Sequence, residues 1–218
     1  MKFENIRDEI MLEIKKNQKL NSDFYLKKVD KLAEFILNLS KWNKRANLVG
    51  KADPLDIFRY LVIDSLFLVE FLAKIGPQFR INSILDIGAG AGIPGIPFRI
   101  FYQKGTYLMV EPRKKRSVFI NLMIKKLNLK GTSVFPKSIE EFSGTKFSLC
   151  LSRGFCHWEK FLKIAYNYLL EQGFVIVFSN APWKKVNLVR YEYIMEYQYQ
   201  LKPKVYRYFW LFSKKAPS

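Results

Sequence analysis

The chain reads Leu85-Asp86-Ile87-Gly88-Ala89-Gly90-Ala91-Gly92-Ile93-Pro94-Gly95 before its midpoint. An apolar run precedes the glycines and a helical pattern follows them, so the segment predicts a strand, a tight turn and a helix start. In such a turn we expect the backbone N–H groups to point beyond the carboxyl end of the strand. From Ile81 onward, short β-branched runs alternate with helical periods. This alternation predicts βαβ units and a doubly wound α/β domain with a mostly parallel sheet.

The predicted elements of this domain follow from the same periodicity. Strands are expected near Ser83–Ile87, Thr106–Glu111, Thr132–Phe135, Leu149–Ser152 and Phe174–Ser179. Helices are expected near Pro94–Tyr102, Lys115–Leu127 and Trp158–Leu170. Aromatic residues recur in near-alternation over residues 188–212, which predicts two antiparallel strands joined through Lys202-Pro203-Lys204.

The first eighty residues have helical periodicity. One helix is predicted over Asp23–Trp42, with Ser22 or Asp23 as its N-cap, and a second over Pro54–Ile75, ending at a Gly-Pro pair. A length of 218 residues favours one structural unit with an accessory element. We therefore expect a helical extension, residues 1–78, packed on an α/β domain formed by residues 79–218.

The charge balance is strongly basic. Lys and Arg number 37 against 19 Asp and Glu, a formal net charge of +18. This excess favours a polyanionic partner such as nucleic acid, although a lysine-rich surface would give the same count. The two cysteines form no zinc-like or disulfide pattern, and no apolar run is long enough to span a bilayer. We expect a cytoplasmic protein without a membrane contact.

The glycine turn fits two kinds of ligand. Residues 90–95 match the G-x-G-x-x-G pattern of dinucleotide sites, which leaves a nicotinamide-dependent oxidoreductase open. Two residues oppose that interpretation: Pro94 lacks an N–H that a diphosphate would use, and Asp86 would repel phosphates. A carboxylate can instead hold an ammonium group. S-adenosylmethionine, a cation with an amino-acid end, therefore fits this turn better.

Three further positions follow predicted strands. Glu111, 25 residues after Asp86, ends the second strand, where an acidic residue can accept both hydroxyls of a ribose. Ile139 could pack on an adenine face while Glu140 bonds its amine; alternatively, acids here merely stabilise a helix start. Arg153, at the end of the fourth strand, could grip a phosphate or the carbonyl edge of guanine.

Together these motifs make the chain resemble the bacterial RsmG (GidB) family, which methylates N7 of a guanine in 16S ribosomal RNA. The most specific match is the family loop G-x-G-x-G-[IL]-P-G-[IL]-P. The resemblance is carried by Trp42-Asn43-Lys44, Asn47-Leu48, Asp64-Ser65-Leu66, Gly88 to Pro97, Lys114-Lys115, Glu140-Glu141 and Ser152-Arg153. It implies a Rossmann-like class I methyltransferase fold with a mostly parallel seven-stranded sheet.

The resemblance also implies roles for these residues. The residues expected to surround the cofactor S-adenosyl-L-methionine are Asp86, Gly88, Ala89, Gly90, Gly92, Glu111, Ile139, Glu140 and Arg153. Arg153 is also the expected catalytic residue, orienting the target base. The chain departs from the family at Leu61, Glu111, Ser138, Ser148, Gly154 and Ser179-Asn180, where the family usually has other residues. These departures bear on the RNA contacts.

The expected partner is ribosomal RNA or the small ribosomal subunit, bound by a monomer without a metal. Its phosphates would contact Arg113, Lys114, Lys115 and Arg116, because cations at a helix start are unfavourable without an anion. Guanine N7 carries a free lone pair, so methyl transfer needs no general base, and we expect a structural role for His157. A methyltransferase with another RNA or protein acceptor, or a non-catalytic RNA-binding protein with a decayed cofactor site, stays open.

Overall fold

The computed structural model describes residues 2–51 and 53–216 of the chain. Its α-helices are α1 (Phe3–Lys16), α2 (Ser22–Leu26), α3 (Val29–Ala46), α4 (Pro54–Ile57), α5 (Ile63–Ile75), α6 (Gly95–Phe101), α7 (Lys114–Lys126) and α8 (Trp158–Tyr166). A π-helical turn, Phe58–Val62, joins α4 to α5, and a 3-10 turn covers Ile139–Glu141.

Seven strands form one sheet. They are β1 (Ser83–Ile87), β2 (Thr106–Val110), β3 (Thr132–Phe135), β4 (Phe147–Ser152), β5 (Leu169–Ser179), β6 (Tyr191–Lys202) and β7 (Val205–Lys214). Their order is β3-β2-β1-β4-β5-β7-β6. The first five strands run parallel, and β7 pairs antiparallel with both β5 and β6. This is the doubly wound, mostly parallel sheet that the alternation predicted, with the antiparallel hairpin at its end.

The central strand, β1, is buried on both faces of the sheet. Ile84 of β1 packs in the core shared with the N-terminal helices, whereas Leu85 and Ile87 pack in a second core that includes α8. A strand covered on both faces has apolar side chains at nearly every position. After the half-buried Ser83 that begins β1, Asp86 is the polar exception in the strand, and it is fully buried. A buried carboxyl group within such a strand marks the place where function is expected.

The N-terminal helices lie against the sheet through an apolar face. Leu32, Ile36 and Leu39 of α3 are fully buried in the same core as strand residues such as Leu149 and Leu211. Their three- and four-residue spacing places them on one side of the helix. The boundary between residues 78 and 79 stays a prediction, since the core runs continuously across it.

The structure corrects two details of the predicted helices. The helix predicted over Asp23–Trp42 is broken after Leu26, and the N-cap of its first part is Asn21, whose side chain accepts the N–H of Phe24 at 3.3 Å. The helix predicted to reach Leu170 ends at Tyr166, because Leu169 already pairs with Phe147 in the sheet. In the part of the chain that the structure describes, no helix has the length and apolar character needed to cross a membrane.

Candidate active site

The glycine turn after β1 uses its N–H groups internally. Gly88 and Ala89 both donate to the carbonyl oxygen of Val110 at 3.0 Å, and Gly90 donates to Glu111 Oε2 at 2.8 Å. The expectation that these N–H groups point beyond the strand is therefore wrong for the three residues that begin the turn. Their bonds are already formed with β2 and the residue after it. A diphosphate would need such groups as free donors, so this geometry disfavours a dinucleotide.

Asp86 lies in β1, two residues before Gly88. Its Oδ2 accepts the hydroxyl of Tyr107 at 3.0 Å, while its Oδ1 is buried without a hydrogen-bond partner among the residues that the structure describes. Burial raises the pKa of Asp86 to about 7; the Tyr107 hydroxyl and Arg153 oppose this rise, and the charge of Glu111 adds to it. A buried carboxylate oxygen without a partner attracts a cation. The site therefore suits the positively charged part of a ligand.

Glu111 follows β2 and braces the same turn. It is 4% exposed, and its two carboxylate oxygens accept the N–H groups of Gly90 at 2.8 Å and of Arg113 at 2.9 Å. These bonds fix the orientation of the carboxylate. Each oxygen has a second lone pair, so the group can still accept two hydroxyl donors. The predicted ribose contact is compatible with this arrangement.

The conformation of the turn requires glycine at two positions. Gly88 and Gly90 have φ angles of +75° and +59°, a region that disfavours other residues. A Cβ at Gly88 would lie 2.5 Å from the ring of Phe155, whereas a Cβ at Gly90 would meet only Arg116 Nη1, at 4.0 Å. Phe155 therefore covers Gly88, and the space above Gly90 is open. A Cβ there would enter the space that a ligand needs.

The predicted adenine contacts lie on the 3-10 turn after β3. Ile139 is buried, and its carbonyl oxygen accepts the Tyr168 hydroxyl at 2.7 Å. Glu140 is exposed. Glu141 is the acid that stabilises the turn, since its carboxylate accepts the N–H of Ser138 at 3.1 Å. Of the two acids, Glu140 is thus the one left for a ligand.

Arg153 is held by the N-terminal helices. Its Nε donates to Asp64 Oδ2 at 2.8 Å, and its Nη2 donates to the Tyr60 carbonyl oxygen, in the π-helical turn, at 3.2 Å. The second oxygen of Asp64 accepts the Tyr199 hydroxyl at 3.0 Å. Asp64 is 1% exposed, and burial raises the pKa of Tyr199. Sequence reasoning placed Arg153 at the site but missed this network, whose members come from distant parts of the chain.

Four basic residues follow β2 at the start of α7, and one of them, Lys115, lines a groove. Arg113, Lys114 and Lys115 are exposed and Arg116 is half-buried. Within residues 2–51 and 53–216, none of these four side chains pairs with a carboxylate. A groove of about 640 Å³ lies between α3 and α7, and its cationic lining residues are Lys41, Lys44, Arg45 and Lys115. The structure thus adds three cations of α3 to the predicted surface.

One departure from the family pattern, Ser148, has a structural role, whereas the side chain of His157 shows none. Ser148 Oγ accepts the N–H groups of Asn82 at 3.0 Å and Ser83 at 2.9 Å, which ties β4 to the start of β1. His157 is the N-cap residue of α8 but makes no side-chain cap bond, and its exposed ring lies 3.8 Å from Glu159. Among the described residues, no group of three or more His, Cys, Asp or Glu side chains is arranged to bind a metal ion.

Comparison with known proteins assigns the family. The model of the family described as GidB, rRNA small subunit methyltransferase G, matches residues 28–205. The ribosomal RNA small subunit methyltransferase G of Oleidesulfovibrio alaskensis is 34% identical over 200 residues, 86% of each chain. That of Nitratidesulfovibrio vulgaris strain DP4 is 37% identical over 156 residues, 71% of each chain.

Solved structures confirm the predicted fold. An O-methyltransferase from Bacillus cereus in complex with SAH superimposes with a TM-score of 0.58 at 16% identity, covering 84% of this chain and 91% of that chain. An rRNA methylase from Streptococcus thermophilus gives a TM-score of 0.50 at 11% identity, covering 69% of this chain and 96% of that chain. The fold is that of Rossmann-like methyltransferases, and the chain belongs to the rRNA small subunit methyltransferase G family.

Proposed function

We propose that this protein transfers a methyl group from S-adenosylmethionine to N7 of a guanine in 16S ribosomal RNA. The methyltransferase class and the RNA of the small subunit follow from the family. The observation that carries the cofactor assignment is the pair of buried carboxylates, Asp86 and Glu111, beside a turn whose first N–H groups are bonded internally. Two buried carboxylates beside N–H groups that are already bonded favour a cationic ligand over a phosphate.

The residues of the turn fit this cofactor. Asp86 would stabilise its positive charge through the partnerless Oδ1, and Glu111 would accept the ribose hydroxyls. Gly88, Ala89, Gly90 and Gly92 would surround its methionine part, and Ile139 and Glu140 its adenine. When bound, S-adenosylmethionine supplies an electrophilic methyl group on a sulfonium. We therefore infer that the ligand of the glycine turn is S-adenosylmethionine and not a dinucleotide.

The protein's own task is to align the acceptor and exclude water. A displacement at the methyl carbon requires the attacking atom to lie in line with the bond that breaks. Guanine N7 has a free lone pair, so no side chain must remove a proton first. Arg153, fixed by Asp64 at 2.8 Å and by the Tyr60 carbonyl, would orient the target base. The exposed ring of His157 is not needed as a base.

The RNA would lie along the groove between α3 and α7. Among the described residues, the side chains of Arg113, Lys114, Lys115 and Arg116 at the start of α7 form no ion pair, and the dipole of the helix makes this cluster of cations unfavourable until an anion binds. RNA phosphates supply that anion. We also propose that the enzyme works as a monomer in the cytoplasm and that residues 1–78 and 79–218 form one structural unit.

The test is transfer of a labelled methyl group from S-adenosylmethionine to small ribosomal particles that lack the modification. We expect label in the RNA fraction and none in ribosomal protein. Glu111→Gln should reduce transfer and cofactor affinity, because an amide nitrogen would face one of the two N–H donors that the carboxylate accepts. Glu192→Gln is the matched control on the exposed part of β6. Label in protein alone would overturn the proposal.

A further inference from the structure

A second cavity, of about 220 Å³, lies at the carboxyl ends of β4 and β5. Ser152, which lines it, donates its hydroxyl to the carbonyl oxygen of Ile87 at 2.9 Å, one residue before the glycine turn. The loop that follows β4 separates the two sites. Phe155 of this loop covers Gly88, whereas Gly154 and Cys156 line the cavity. The cavity is therefore next to the cofactor turn and shares a wall with it.

The walls of the cavity are largely aromatic. Trp158 and Trp210 both line it, and their rings cross edge to face at 83° with centroids 5.9 Å apart. Phe161 and Phe178 complete the apolar lining. Flat aromatic walls are the surface on which proteins stack an unpaired base. The volume is below the roughly 300–1,000 Å³ of sites that hold drug-sized ligands, so it suits a single base.

One polar group in this lining has no partner. Trp210 is 6% exposed, and within residues 2–51 and 53–216 its buried Nε1 has no hydrogen-bond acceptor. Buried N–H groups are nearly always bonded, and an exception calls for a ligand or another explanation. Among the described lining residues there is no carboxylate that could accept this hydrogen. The indole N–H thus lacks an acceptor within the described part of the protein, and a base that seats against Trp210 can supply one after a small shift of the lining that exposes this atom.

The acceptor selects the kind of base. Guanine presents a carbonyl oxygen, O6, next to N7, whereas adenine has an amino donor at the same position. Enzymes that modify a base within RNA or DNA move it out of its stack and into a fitted pocket. Resting on the proposed function, we propose that this cavity receives the target guanine and that the Trp210 N–H donates to its carbonyl oxygen. Trp210 is then a specificity-determining residue.

The first test compares two Trp→Phe variants. Trp210→Phe removes the donor and keeps an aromatic ring, and Trp183→Phe makes the same change in a ring that packs on Trp210 at 5.1 Å but does not line the cavity. We expect Trp210→Phe to lower kcat/KM for small ribosomal particles about tenfold and Trp183→Phe to leave it nearly unchanged. The affinity for S-adenosylhomocysteine should be unchanged in both. Benzothienylalanine at position 210, which replaces only the N–H by sulfur, gives the same comparison if the Phe variant is unstable.

The second test measures base preference without catalysis. Binding of guanosine and of 2-aminopurine riboside, which lacks O6, is followed by tryptophan fluorescence with S-adenosylhomocysteine present. We expect the wild-type protein to prefer guanosine and Trp210→Phe to bind both equally. If Trp210→Phe keeps both the preference and the wild-type kcat/KM, or if guanosine does not bind, the inference is wrong. Guanosine preference without any RNA methylation would instead contradict the proposed function alone.

Discussion

Replacing Asp86 by Asn should stabilise the fold while it impairs the site. Asp86 is fully buried, and its pKa lies at about 7 instead of the ordinary 3.8. The folded protein therefore holds a proton that the unfolded chain has lost, and the stability of the fold decreases as the pH rises from about 4 through 7. Above pH 7, burial of the charged carboxylate lowers the free energy of unfolding by up to about 4 kcal/mol, because each unit between the unfolded and folded pKa values of Asp86 corresponds to about 1.36 kcal/mol.

The Asn variant removes this cost without removing the local bond. Its side-chain carbonyl can still accept the Tyr107 hydroxyl, which lies 3.0 Å from Asp86 Oδ2. The free energy of unfolding, measured with urea at pH 5, 6, 7 and 8, should fall by roughly 2–3 kcal/mol more in the wild type than in Asp86→Asn over this range. Asp23→Asn, at an exposed position of α2, is the control and should keep the wild-type dependence.

The substitution Asp86→Asn should weaken cofactor binding although it stabilises the fold. Without its carboxylate, Asp86→Asn should bind S-adenosylmethionine about tenfold or more weakly in calorimetry, since the charge next to the cation is lost. The wild-type affinity should itself decrease below pH 7, where Asp86 becomes protonated. A difference in unfolding free energy between wild type and variant that is the same at all four pH values would refute this reasoning.

Three further changes probe the other parts of the site. Arg153→Ala should lower the free energy of unfolding by roughly 3 kcal/mol in urea, because it leaves a buried carboxylate without its cation; an unchanged value would contradict the role of that ion pair. Gly88→Ala should cost about 1–3 kcal/mol and abolish binding of S-adenosylhomocysteine, since φ is +75° and the new Cβ meets a ring at 2.5 Å, whereas Gly50→Ala, with open space around it, should do neither. Lys115→Ala should reduce the salt dependence of binding to 16S RNA by about 0.7–0.9 in the slope of log K against log salt, and Lys146→Ala, an exposed control before β4, should leave that slope unchanged.

Much of the fold could be predicted because its signals are local. The strand bounds of β1 and β3 were predicted as the structure has them, since short apolar runs between turns define them. The end of α8 could not be predicted in the same way. Leu169 and Leu170 continue a helical period, and only the distant pairing of Leu169 with Phe147 assigns them to the sheet. Sheet pairing overrode the local pattern.

The site was predictable in its residue types and not in its bonds. The glycine turn and the carboxylates at 86 and 111 were identified from spacing, but the N–H bonds to Val110 and Glu111 depend on the neighbouring strand. The partner of Arg153 is 89 residues away in sequence, so no local pattern could indicate it. The cavity beside Trp210 could not be predicted from a local pattern either, because its walls come from β4, β5, α8 and β7.

The identity of the methylated nucleoside tests the central claim most directly. After transfer of labelled methyl to small ribosomal particles, the 16S RNA is digested to nucleosides and the labelled product is identified by chromatography and mass. A single labelled species, 7-methylguanosine, is the predicted result. Label in any other nucleoside, with none in 7-methylguanosine, would contradict the assignment of guanine N7 as the acceptor.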